Sequence, residues 1–112
     1  MLNKITVNEN GNVKIYDATI NDNLIIYVDE DGNKVYVNIF PNKVEVMKQG
    51  SMNYHIIHEV NREVESPIKV EIKGQVFSDC VKILTKGIKV EDTKVEVTFI
   101  RDQEEIFITW EW

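Results

Sequence analysis

The chain is 112 residues long, 43% hydrophobic and 29% charged, with a formal net charge of −6. That length suits one domain over residues 1–112 and is too short for two well-cored ones. The acidity speaks against nucleic acid and against an anionic membrane surface, because both demand a basic face.

Within the apolar class, 15 Ile and 15 Val stand against 3 Leu and a single Ala, Ala18. β-Branched side chains suit pleated strands, whereas Leu and Ala are the strong helix formers. The bias predicts an all-β domain.

In chain order, Ile5 and Val7 open the first alternating run, and Glu9 to Asn12 turns it. Val13 to Ile20 follows, then Leu24 to Val28, which is apolar on both faces. The stretch Asp29 to Asn33, DEDGN, carries an Asp-Gly pair suited to a tight hairpin turn. Val35, Val37 and Ile39 then share one face, and Pro41-Asn42 turns the chain into Val44 and Val46. After Gln49-Gly50-Ser51, a further face collects Met52, Tyr54, Ile56 and His58. Beyond Pro67, Ile68, Val70 and Ile72 alternate with charged residues. The segment Gln75 to Lys86 breaks phase near Asp79, which predicts a bulge or a short helical turn. Val95, Val97 and Phe99 form the next run, and Ile106, Ile108, Trp110 and Trp112 the last.

All five glycines fall between runs, where turns need them. About eight to ten strands joined by short loops predict an antiparallel meander, and closure into a β-barrel would remove its exposed edges. The faces expected inward carry Val35, Val37, Ile39, Val44, Val46, Ile68, Val70, Ile72, Val95, Val97, Ile106 and Ile108.

The stretch NLIIYVDEDGNKVYVNIFPNKVEVMKQGSM resembles the YwiB-like family of small bacterial proteins. Tyr27 with Asp29 and Glu30 matches the family's aromatic strand ending in tyrosine and acidic residues. Lys48-Gln49-Gly50 matches its basic residue, spacer and glycine, with Lys where Arg is more usual. Ser66-Pro67-Ile68-Lys69 stands where the family often has Thr-Pro-Tyr-Gly, so the proline fits and the tyrosine and glycine do not. The resemblance implies a calycin (lipocalin-like) barrel, and it implies no activity.

Candidate chemistry is sparse. His55 and His58 are an odd number of residues apart, so on a strand they point to opposite faces and cannot share a metal. Cys80 lies beside Asp79 with no histidine nearby, which predicts a buried small hydrophobe and not a nucleophile. As the only cysteine it forms no intrachain disulfide, and MLNKITVNENG lacks a signal-peptide apolar region, so a reducing cytoplasm is expected. A calcium loop starting at Asp29 would need Glu at its twelfth position, where Phe40 stands. No metal or other cofactor is expected.

Three functions stay open: binding of a small, partly apolar molecule, a protein-interaction or structural accessory module with a filled core, and, last, an enzyme. For a ligand, the expected lining is Tyr54, His58 and Trp110, with Arg101 at the rim to meet an anionic group. Bulky Ile and Val predict a mostly filled interior with one small pocket, reached near Trp110 and Arg101.

Overall fold

A computed structural model describes residues 2–112. Ten strands follow one another: β1 (Leu2–Glu9), β2 (Asn12–Asn21), β3 (Leu24–Val28), β4 (Lys34–Ile39), β5 (Lys43–Gln49), β6 (Met52–Glu59), β7 (Glu63–Ile72), β8 (Gln75–Glu91), β9 (Lys94–Arg101) and β10 (Glu104–Glu111). Each runs antiparallel to the next, and β1 also pairs with β10 through Val7↔Trp110 and Glu9↔Ile108. The meander therefore closes into a barrel, and no helix occurs among the described residues.

Alternation places one side chain in two inside. Ile5, Ala18, Ile25, Val37, Val44, Ile83, Val95, Val97 and Ile106 are all at or below 1% exposure. Val35, Ile39 and Val46 are buried with them, while Ile68 and Ile108 pack partly against this core.

Ile72 departs from expectation at 53% exposure, and Val70 is only half-buried. The β7–β8 hairpin outruns its neighbours, and every residue from Glu71 to Cys80 is exposed. Its turn is Lys73-Gly74, with φ of 50° and 78°. On this projecting arm the inward face of the barrel simply continues into solvent. Cys80 lies there too, so it is an exposed thiol and not a buried hydrophobe.

The expected break at Asp79 is absent. β8 is one strand of 17 residues, and its bulge falls between Thr85 and Gly87. Gly87 accordingly sits within a strand, not in a turn. The polar run Gln75, Ser78 and Asp79 mimics a phase change because the arm has no buried face to enforce alternation.

The Asp29–Asn33 turn forms as expected in place, although not as a two-residue Asp-Gly hairpin. Asp29 Oδ1 accepts from the backbone N–H of Asp31 at 3.0 Å and of Asn33 at 2.9 Å. Gly32 alone takes the left-handed φ in that turn, at 80°.

The wall thins between β6 and β7, where the ladder is limited to Met52↔Val70 and Asn53↔Lys69. Pro67 has no N–H to give, and Ser66 Oγ donates to the His55 carbonyl at 3.0 Å in its place.

Candidate functional site

The interior is packed with aliphatic side chains except near the end of the barrel bearing the β1–β2, β3–β4 and β5–β6 turns. Two adjoining compartments lie there, each of about 150 Å³. They share the wall formed by Glu9, Val46, Tyr54, Ile108 and Trp110. The outer one adds Lys14, Tyr16, Tyr27, Asp29 and Lys48. The inner one adds Ile56, His58, Ile68, Phe99 and Arg101.

Period-2 alternation brings these groups together. Tyr27 and Asp29 are successive inward positions along β3 and its turn, as are Val46 and Lys48 on β5 and Tyr54, Ile56 and His58 on β6. Lys48 Nζ lies 3.1 Å from Asp29 Oδ2 and 5.5 Å from the centre of the Tyr54 ring. Burial alone would raise the Asp29 carboxyl, yet the Asn33 backbone N–H and the Lys48 ammonium together hold it below the usual carboxylate range. Tyr16 stacks on Tyr27 with ring centres 5.1 Å apart, and its hydroxyl donates to Glu30, which also lies 3.7 Å from Lys14.

Deeper in, Trp110 Nε1 donates to the Tyr27 hydroxyl at 3.2 Å. Burial pushes the Tyr27 pKa up, so this hydroxyl keeps its proton. His58 Nδ1 is 3.0 Å from Thr85 Oγ1, and the ring tilts against Phe99 at 4.7 Å. Burial lowers the His58 pKa to about 4, so the imidazole is neutral at pH 7. Glu9 and Arg101 line the inner compartment without an ion-pair partner among the described residues.

All four residues expected at a ligand site, Tyr54, His58, Arg101 and Trp110, thus line one compartment. Trp110 is a deep wall at 2% exposure, so it lines the compartment without standing at the entrance that was expected near it and Arg101. The stagger of β10, with Trp110 opposite both Val7 and Val95, sinks it below the mouth. His55 points outward, 2.9 Å from Glu45, as the opposite-face reading requires. Among the described residues no three His, Cys, Asp or Glu side chains gather as a metal site would need.

Sequence reasoning missed Tyr16, Tyr27, Asp29 and Lys48 as wall residues. A signal for three of them was present, because Tyr27-Asp29-Glu30 and Lys48-Gln49-Gly50 are the segments that carry the family resemblance. They meet at the mouth: Asp29 pairs with Lys48, and Gly50 packs on Asn33, where a Cβ would overlap the Asn33 carboxamide.

The barrel superposes on the crystal structure of the ywiB protein from Bacillus subtilis with a TM-score of 0.58. The fold is that of YwiB. The match covers 96% of this chain and 86% of that one at 15% identity, a level at which the likeness speaks for the fold alone. No family model matches the sequence, and no curated protein matches it.

Proposed function

We propose that the chain is a non-catalytic, calycin-like barrel that binds a small, partly apolar molecule with an acidic group at its mouth. The observation that supports this is the meeting of Tyr54, His58, Arg101 and Trp110 on one compartment. A cavity of about 150 Å³ takes a molecule of single-ring size. The wall is largely aliphatic and aromatic, and Arg101 brings a guanidinium with no carboxylate partner among the described residues, suited to forked recognition of an oxyanion. Neutral His58 and the Tyr54 hydroxyl supply orienting contacts. The exposed Cys80 thiol favours a reducing cytoplasm as the setting.

The test is a titration with single-ring carboxylates, their neutral amides and the matching amines, followed by tryptophan fluorescence and amide chemical shifts. Saturable shifts at the mouth residues are expected with the carboxylates, weakened at least tenfold by Arg101→Ala and abolished by filling the space with Val46→Phe. No shift at those residues with any probe at millimolar concentration would overturn the reading. The alternative, an interaction or accessory module, draws support from the packed lower half of the barrel and from the projecting arm.

A further inference from the structure

The β7–β8 arm has one side without a neighbour. β9 joins β8 only from Ile83↔Arg101 onward, with a last contact from the Asp102 N–H to the Lys82 carbonyl at 3.4 Å. Residues Gln75 to Val81 pair with β7 on one side and with nothing on the other among the described residues. Three exposed apolar side chains sit on the same arm, Ile72 and Phe77 at 53% and Val76 at 63%. A bare strand edge with apolar side chains is a template for another strand.

The register shows which groups are on offer. Ile72↔Gln75 flanks a two-residue turn and is therefore the hydrogen-bonded pair. It follows that Phe77 and Asp79 turn their backbone groups toward β7, while Val76, Ser78 and Cys80 turn theirs outward. Cys80 is already served, since its N–H donates to Asp79 Oδ1 at 2.8 Å. Val76 and Ser78 keep both N–H and C=O free.

We infer that this stretch of β8 pairs antiparallel with the same stretch of a second copy of the chain, about a two-fold axis at Phe77. That register sets Val76 against Ser78 of the second copy and Ser78 against its Val76. It forms four backbone hydrogen bonds from the groups left free and asks nothing of the capped Cys80 N–H. Sliding by one pair would require that N–H, and sliding further would set Asp79 against its own copy. Phe77 meets Phe77 in the close, non-hydrogen-bonded position, where aromatic pairs are favourable. Charge agrees. The chain carries −6, but from Lys69 to Lys82 it has three lysines against two carboxylates, so two copies meet where repulsion is least. Another unpaired stretch, Asn12 to Asp17 of β2, is bordered by Asp29, Glu30 and Asp31, which disfavours an acidic partner there. A two-fold contact of this kind closes on itself and stops at the dimer.

The experiment is sedimentation equilibrium of the full chain across a wide concentration range, alongside Ser78→Pro and Phe77→Lys. Proline at position 78 removes an outward N–H and leaves the β7 ladder intact. The wild type should rise from 13.1 kDa toward twice that mass with concentration. Both variants should stay monomeric, with circular dichroism and melting temperature close to wild type. A wild type that stays monomeric at millimolar concentration overturns the inference, and so does a dimer that survives Ser78→Pro and Phe77→Lys. If Ser78→Pro unfolds the chain, Phe77→Lys decides alone, because its side chain is already in solvent.

Discussion

The indole N–H of Trp110 and the hydroxyl of Tyr27, 3.2 Å apart, tie β10 to β3 through the barrel interior, skipping the two strands between them. Both residues are buried, at 2% and 7% exposure, so the indole has no water to turn to. Tyr27→Phe should cost about 1–3 kcal/mol, the penalty for stranding a buried donor. Urea unfolding measures it, with Tyr36→Phe, on the outer face, as the near-silent control.

Asp29→Asn should cost about 1.5–3 kcal/mol at pH 7, because the carboxylate serves both its own turn and Lys48. The folded Asp29 pKa is lowered, so its contribution is complete above the unfolded value, about 4, and is lost as pH falls through the lower folded value. The gap between wild type and Asp29→Asn should narrow as pH falls from the unfolded value through the lowered folded one, in denaturation curves run at stepped pH.

His58 acts in a different window. Its folded pKa lies near 4 against an ordinary 6.5, because burial opposes the charged ring. The unfolded chain therefore takes up a proton that the folded chain refuses. Wild-type stability should fall by about 3 kcal/mol between pH 6.5 and 4 on this account, and His58→Gln should flatten that slope. Equal slopes for the two proteins would place the imidazole in solvent.

Gly50→Ala should destabilise by about 1–3 kcal/mol. Its φ is 153° and an added Cβ would strike Asn33, whose Oδ1 accepts from Ser51 Oγ at 3.3 Å and from the Met52 N–H at 3.1 Å. Thermal melts report the loss, and amide shifts at Asp29 and Lys48 should move with it.

Period-2 patterning made the barrel legible wherever a strand has one wet and one dry face, as at Val35 to Ile39 and Val95 to Phe99. It failed on the arm, where Val70 and Ile72 continue the inward row without a closed interior to point into. The four ligand-site candidates were readable as polar or aromatic groups on inward rows. Lys48 was not, because an inward lysine has the pattern of a misplaced surface residue until Asp29 is known to face it. The Trp110–Tyr27 bond spans 83 positions of sequence, and no local rule reaches that far.

Pro67 leaves the cylinder with one weak stave joint. Counting outward from the Ser51–Glu71 bond, the amides of Ile57 and Glu65 face each other across β6 and β7 outside the ladder. In heavy water these two should take up deuterium well before their strand neighbours. Parting that joint converts the tube into a ten-strand ribbon whose two borders, β6 and β7, remain tethered by the Val60–Arg62 turn.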